Sequence, residues 1–112
     1  MSEITTHVLD TSLGQPAAGV SVTLDAREAT GAWKQVGRGA TDGDGRLRNL
    51  APHSLAPGTY RLTFDTSAYF KSRQVASFYP EVAIVFDVRD AAAKYHVPLL
   101  ISPYGYSTYR GS

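Results

Sequence analysis

Hydrophobic and polar residues alternate with a period of two along most of this chain, which is typical of half-buried β-strands. The alternation is clearest in three sets, whose apolar members are Val20, Val22, Leu24 and Ala26, then Tyr60, Leu62 and Phe64, then Val82, Ile84, Phe86 and Val88. Further strands are predicted at Ile4–Asp10, Trp33–Gly39, Lys94–Ile101 and Tyr104–Arg110. The stretch Ser67–Gln74 lacks the alternation and is predicted to form one short helix.

Glycine, proline and aspartate cluster between these segments and indicate turns, as in Thr41–Gly45 and Ala56–Gly58. Seven or eight short strands at this spacing predict an all-β fold, an antiparallel sandwich of two sheets. Pro98 has no N–H to donate to a ladder, so its strand is predicted to be an edge strand or to contain a bulge. With no internal repeat or linker, residues 1–112 are expected to form a single domain.

Composition narrows the possible functions without naming one. The chain has 112 residues, no cysteine and a formal net charge of +1. The missing cysteine excludes a disulfide scaffold, a thiolate metal site and a cysteine nucleophile. The balanced charge argues against a dedicated nucleic-acid binder. The N-terminus shows no signal peptide, and no apolar run approaches the roughly 20 residues of a membrane span, so we expect a cytoplasmic protein with no membrane partner.

Histidine is the first candidate for chemistry, because its charge changes near neutral pH. His7 and His96 lie in predicted strands and His53 lies in a polar loop. Judged singly, each is more often a residue bonded to backbone or facing solvent. No histidine pair has metal-ligand spacing, so neither a metal nor a cofactor is expected. Thr41–Arg46 lacks the spaced acidic ligands of a calcium loop and is predicted to be a tight turn that orients Arg46.

Four segments, taken together and in this order, carry a resemblance to a known family. They read Thr6-His7-Val8-Leu9-Asp10-Thr11 with Gly14-Gln15-Pro16-Ala17; Thr41-Asp42-Gly43-Asp44-Gly45-Arg46; Phe78-Tyr79-Pro80-Glu81-Val82; and Tyr95-His96-Val97-Pro98-Leu99-Leu100-Ile101-Ser102-Pro103 running into Tyr106-Ser107-Thr108-Tyr109-Arg110-Gly111-Ser112. The whole chain thereby resembles the 5-hydroxyisourate hydrolase family, the transthyretin-related enzymes of urate breakdown.

The resemblance implies a transthyretin-like sandwich of two four-stranded antiparallel sheets with one short helix. It implies a homotetramer, a dimer of dimers, with active sites in a channel where the dimers meet. It implies His7, Arg46 and His96 as catalytic residues, with His7, Arg46, Tyr109 and Ser112 contacting the substrate. Two positions depart from the common pattern: Lys94 stands where members often have a histidine, and Phe78-Tyr79 where they often have two phenylalanines.

The implied reaction opens the ring of 5-hydroxyisourate with water to give 2-oxo-4-hydroxy-4-carboxy-5-ureidoimidazoline. We expect His7 and His96 to activate the water and Arg46 to stabilise negative charge, with the identity of the base left open between the two histidines. A ligand-binding transthyretin without turnover and a structural interaction module are the alternatives. His7, Arg46, His96 and the tail Tyr109–Ser112 favour the enzyme over both.

Overall fold

Two β-sheets packed face to face make up the structure, a computed structural model that describes residues 3–51 and 55–112. Its strands are β1 (Glu3–Asp10), β2 (Gln15–Pro16), β3 (Ser21–Arg27), β4 (Trp33–Ala40), β5 (Arg46–Leu47), β6 (Gly58–Phe64), β7 (Val82–Val88), β8 (Lys94–Ser102) and β9 (Gly105–Thr108). One helix, α1 (Thr66–Ser72), follows β6. The alternation therefore predicted the type and approximate position of each long strand and of the helix.

The first sheet has the order β2-β1-β8-β9, with β5 also paired to β1, and the second has the order β4-β3-β6-β7. The second sheet is the four-stranded antiparallel sheet that was expected. The first departs from expectation, because it includes a fifth strand of two residues and because β1 and β8 run parallel from Glu3↔Lys94 to Asp10↔Ile101. Alternation is the same in both orientations, so the sequence pattern carries no information on strand direction.

The apolar sets of the alternating strands meet between the two sheets. Leu24, Leu62 and Phe64 from the second sheet and Val8 and Leu99 from the first are fully buried. Burial of one such side chain contributes about 1.5 to 3 kcal/mol of hydrophobic free energy. The polar residues that alternate with them in β1 and β8 are consequently turned to the outer face of the first sheet.

Pro98 lies neither at a sheet edge nor at a bulge in the register of β8 with β1 or β9, so both predicted alternatives are wrong. It belongs to β8, which is flanked by β1 on one side and β9 on the other. The missing N–H is accommodated at the end of β9, whose ladder with β8 stops at Leu99↔Thr108 and resumes only at the single bridge His96↔Gly111. Opposite this gap the Thr108 hydroxyl donates to the Pro98 carbonyl oxygen at 2.7 Å.

A buried carboxylate joins the helix to the first sheet. Asp10, at the end of β1, is 1% exposed and accepts hydrogen bonds from Ser12 and from the Tyr69 hydroxyl of α1, the latter at 2.8 Å. Burial by itself would raise the pKa of Asp10, but these hydrogen bonds outweigh it and hold the pKa below its ordinary value. Within the described residues, no helix has the length and hydrophobicity to cross a membrane.

The Asp10–Tyr69 contact predicts a pH-dependent stability. Because the folded-state pKa of Asp10 lies below the unfolded value, its stabilisation is present at neutral pH and is lost as the pH falls below about 4. Tyr69→Phe should therefore lower the free energy of unfolding by about 1.5 to 3 kcal/mol at neutral pH and by less in acid. Urea denaturation at neutral pH and in acid measures the free energy of unfolding under both conditions. Tyr60→Phe is the control, since its hydroxyl donates to the uncharged Ala56 carbonyl; equal pH dependence in both variants would contradict the prediction.

Candidate active site

Strand register brings the predicted site residues together on the outer face of the first sheet. His7 of β1 lies opposite Arg46 of β5, and Thr5 of β1 lies beside His96 of β8. All four side chains are partly exposed, whereas Ile4 and Val8 point into the core from the same strand. Three segments far apart in sequence therefore place their polar residues side by side on one surface.

A tight turn before β5 fixes the backbone at Arg46. The Asp42 carboxylate accepts the backbone N–H groups of Asp44 at 2.9 Å and of Arg46 at 3.0 Å. These bonds hold the pKa of Asp42 below its usual range. Gly45 has φ +75°, and a β-carbon there would come within 2.4 Å of the Val8 carbonyl oxygen, so only glycine fits this position. The segment is the turn that the sequence predicted.

The Arg46 guanidinium has no hydrogen-bond or ion-pair partner in residues 3–51 and 55–112. The ion pair found in those residues joins Arg61 to Asp25 at 2.9 Å, in the other sheet. An arginine that stays charged and has no protein partner keeps its whole fork of donors for a ligand. The arrangement suits recognition of a planar anion.

His7 is held by the same turn that positions Arg46. Its Nε2–H donates to the Asp44 carbonyl oxygen at 2.9 Å, since a carbonyl only accepts. A neutral His7 in this arrangement carries its lone pair on Nδ1. The turn thus determines which nitrogen of His7 is able to accept a proton.

His96 is the more enclosed partner of the histidine pair. Its Nδ1 lies 2.7 Å from the Thr5 hydroxyl oxygen. Burial, and then the charges of Arg46 and His7, lower the pKa of His96 from its ordinary value of 6.5. The imidazole is therefore uncharged near neutral pH, which is the protonation state that a general base requires.

Gly111 packs against the ring of His96. Its N–H donates to the His96 carbonyl at 2.8 Å, and a β-carbon at this position would come within 2.5 Å of His96 Cδ2 and 3.3 Å of Pro98 Cγ. Atoms that close overlap, so position 111 accepts only glycine while the ring keeps its place. The glycine of the tail Tyr109–Ser112 thus has a steric role.

This packing predicts that Gly111→Ala displaces the His96 ring and lowers kcat by about ten-fold or more, because misplacement of a catalytic group by 1 Å can cost a hundred-fold. Initial rates and the NMR shifts of the His96 ring measure both effects. Gly105→Ala is the matched control, since a β-carbon there meets nothing closer than Ser102 Oγ at 3.6 Å. Unaltered turnover and ring shifts in Gly111→Ala would show that the contact is unimportant.

A pocket of about 270 Å³ opens beside these residues. Its lining includes three cationic side chains, Arg46, Arg48 and Lys94, one acidic side chain, Glu3, and also Thr5, His96 and Ser112. The excess of positive charge favours an anionic ligand. Within the described part of the chain, no group of three or more histidine, cysteine or acidic side chains is arranged to hold a metal ion.

The structure brings three of the five predicted site residues into this pocket: Arg46, His96 and Ser112. His7 lies next to the pocket, opposite Arg46. Tyr109 instead lines a second pocket, of about 250 Å³, which also contacts His96. His53 lies outside the described residues.

Five polar lining residues were not predicted from the sequence as site residues: Glu3, Thr5, Thr6, Arg48 and Lys94. Thr5 and Lys94 lie two positions before His7 and His96 in the same strands. Because residues i and i+2 of a strand share a face, this spacing was the available signal.

The profile of the HIUase/Transthyretin family matches residues 4–111. The chain belongs to this family. Within it, a 5-hydroxyisourate hydrolase of Salmonella typhimurium is 46% identical over 110 residues, covering 97% of this chain and 80% of that protein. A 5-hydroxyisourate hydrolase of Mus musculus is 48% identical over 113 residues, covering 99% and 96%.

Solved structures of the HIUase/Transthyretin family have the same fold. Transthyretin from Sparus aurata gives a TM-score of 0.91 at 32% identity, with 96% of this chain and 95% of that chain covered. The 5-hydroxyisourate hydrolase of Klebsiella pneumoniae gives a TM-score of 0.88 at 38% identity, with both chains fully covered. The resemblance read from the motifs and the transthyretin-like fold are therefore confirmed.

Proposed function

We propose that this chain hydrolyses 5-hydroxyisourate to 2-oxo-4-hydroxy-4-carboxy-5-ureidoimidazoline, a step of urate degradation. The observation that carries the proposal is the presence, in one pocket of mainly positive charge, of His96, uncharged near neutral pH, and of Arg46, which has no hydrogen-bond or ion-pair partner in residues 3–51 and 55–112. The names of relatives 46% and 48% identical over nearly the whole chain support the same activity.

Substrate binding is assigned to the cationic side of the pocket. The substrate is a planar anion, and the Arg46 fork presents parallel donors to such a group. Arg48 and Lys94 add positive charge that favours anion entry, and Ser112 adds a hydroxyl donor. Tyr109 belongs to this set through the resemblance alone, because within one subunit it faces the second pocket.

Ring opening requires a base, an oxyanion partner and a proton donor. In the proposed path His96 removes a proton from water as the water oxygen attacks the acyl carbon. Arg46 stabilises the negative charge that develops on the acyl oxygen. The acyl carbon–nitrogen bond then breaks, and the proton held by His96 passes to the leaving nitrogen, which restores the uncharged imidazole. His7 lies beside Arg46, and the lone pair on Nδ1 of its neutral form provides a second proton-accepting site.

Assembly as a homotetramer, a dimer of dimers, is part of the proposal. A pocket of about 270 Å³ in one subunit lies just under the roughly 300–1,000 Å³ of typical ligand sites. The side chains of Tyr104 and Tyr109 at the β9 edge are 71% and 61% exposed, a surface suited to a subunit contact. Light scattering on the protein eluted from a size-exclusion column should give four chains per particle. A monomer with full turnover would contradict the proposed tetramer.

The activity is tested by generating 5-hydroxyisourate in situ from urate and uricase and following its ultraviolet absorbance. Acceleration of the decay above the spontaneous rate supports the hydrolase. Binding of thyroxine, the ligand in a solved complex of sea bream transthyretin, without acceleration would instead support the transthyretin alternative. We also propose a cytoplasmic location, which fractionation of producing cells tests.

A further inference from the structure

We propose that Thr5 is the positioning residue for His96, holding Nδ1 of the imidazole so that Nε2 is the nitrogen presented to substrate and water. The inference rests on the proposed function, since it assigns His96 the role of base. Thr5 lies in β1, is partly exposed and lines the same pocket as His96.

The geometry of the pair carries the inference. Thr5 and His96 are register partners on adjacent parallel strands, so their side chains leave the sheet on the same face. Thr5 Oγ1 and His96 Nδ1 are 2.7 Å apart, and in the described residues Nε2 has no hydrogen-bond partner. Threonine is branched at Cβ and has few rotamers, so its hydroxyl is a rigid anchor.

A second contact restrains the ring from another side. The Gly111 backbone packs against His96 Cδ2 and Cγ and leaves no room for a β-carbon. The hydroxyl fixes the rotation of the imidazole about its χ2 angle, while the glycine limits its displacement across the sheet. Together they hold the ring in one orientation before substrate arrives, which is what precise proton transfer needs.

The neighbouring threonine shows that this hydroxyl contact is specific to position 5. Thr6 is 1% exposed, faces the core, and donates its hydroxyl proton to the Val97 carbonyl at 2.7 Å. Two consecutive threonines therefore bond to two consecutive residues of β8, one to a backbone carbonyl and one to the imidazole. Of these two threonines, only Thr5 contacts the imidazole of His96.

In the proposed arrangement the Thr5 hydroxyl accepts the hydrogen bond from His96 Nδ1, and that direction sets the tautomer. When Nδ1–H donates to Thr5 Oγ1, the lone pair of the uncharged ring lies on Nε2, as a base facing the pocket requires. The same bond persists when the ring is protonated, so proton uptake at Nε2 needs no rearrangement at Nδ1. The titratable and charged groups around His96 are His7 and the residues that line its two pockets, which the test leaves unchanged: Glu3, Arg46, Arg48, Asp87, Lys94 and Arg110.

Thr5→Val tests the role, because valine keeps the branched shape and removes only the hydroxyl. We expect kcat to fall by about ten-fold, by analogy with the ten- to hundred-fold loss typical when the partner that orients a metal-binding histidine is removed. KM should change less than about two-fold. The acid limb of the kcat/KM profile should shift to lower pH, because the protonated ring loses an acceptor. Thr5→Ser, which restores the hydroxyl, should return both quantities to wild-type values.

Thr11→Val is the matched control, since Thr11 donates its hydroxyl proton to the Ile101 carbonyl of the same strand β8 at 3.0 Å, at the far end from His96. It should cost similar stability and leave kcat and the pH profile unchanged. Nitrogen-15 NMR of the His96 ring gives a readout independent of turnover, and Thr5→Val should shift the tautomer ratio away from Nδ1–H. Wild-type kcat, pH profile and tautomer in a folded Thr5→Val protein would overturn the inference. An inactive wild-type protein would overturn the proposed function instead.

Discussion

His96→Asn should lower kcat for 5-hydroxyisourate by about a hundred- to ten-thousand-fold, the usual contribution of general acid–base catalysis. Asparagine has a similar size and can still bond to the Thr5 hydroxyl, but it cannot take a proton from water. KM should change much less, because Arg46 and the other cations that bind the anion stay in place. Steady-state rates of hydroxyisourate decay, corrected for the spontaneous reaction, measure the effect.

The wild-type pH profile gives the companion test. Burial and the charges of Arg46 and His7 lower the pKa of His96, so kcat/KM should fall only when the pH drops below 6.5. His7→Asn removes one of these neighbours and should also reduce turnover, to a smaller extent than His96→Asn because His7 does not line the pocket. Size-exclusion chromatography checks that both variants keep the wild-type assembly. Near-wild-type turnover in His96→Asn would remove it from the mechanism.

Much of the fold could be predicted from the sequence because one side of each long strand is buried. The apolar sets of β3 and β6 were read directly from alternation, and burial confirms them. The alternation did not show which strands pair with each other. The parallel pair β1–β8 joins residues about ninety positions apart in the chain, and its partners are set by packing of the whole sandwich. Pro98 was misplaced for the same reason: its missing N–H was evident, but the neighbouring strand that tolerates the loss was not.

The site was only partly predictable, and the resemblance supplied most of it. His7, Arg46 and His96 lie far apart in the sequence, and only the register of their strands makes them neighbours. Thr5 could not be distinguished from Thr6 by residue type, although the Thr5 hydroxyl contacts the His96 imidazole and the buried Thr6 hydroxyl bonds to the Val97 carbonyl. For Tyr109 the two sources differ. The resemblance implies a contact with the substrate, whereas within one subunit Tyr109 lines the second pocket.

Fold similarity by itself does not separate hydrolysis from ligand binding in this family. The chain matches a transthyretin with a TM-score of 0.91 and a hydrolase with 0.88, so the backbone is common to both functions. Function lies in the residues that the shared scaffold carries. Among the described residues, the Arg46 guanidinium has no hydrogen-bond or ion-pair partner and lies near an imidazole that is uncharged at neutral pH. This arrangement suits acyl chemistry on an anion, whereas a site that only binds a ligand has no need of a base.

Arg46→Met should lower kcat/KM by about a hundred- to a thousand-fold, the range found when one oxyanion donor is removed. Methionine retains much of the apolar stem while removing the charge and all of the donors. Because the guanidinium has no ion-pair partner among the described residues, the substitution leaves no buried charge unpaired. The substitution should therefore lower the reaction rates, while the urea concentration at the midpoint of unfolding stays almost unchanged.

Two further variants separate charge from geometry at this position. Arg46→Lys keeps the charge and loses the planar fork, so it should recover part of the binding loss in KM but little of kcat, since the developing oxyanion needs donors at fixed positions. Arg38→Met removes the same charge from β4 of the other sheet and should leave both constants near wild type. Equal effects of Arg38→Met and Arg46→Met would mean that net charge alone matters. Full recovery by lysine would mean that Arg46 attracts the anion without stabilising the transition state. A deficit in kcat specific to Arg46→Lys would therefore assign the guanidinium to the reaction step itself.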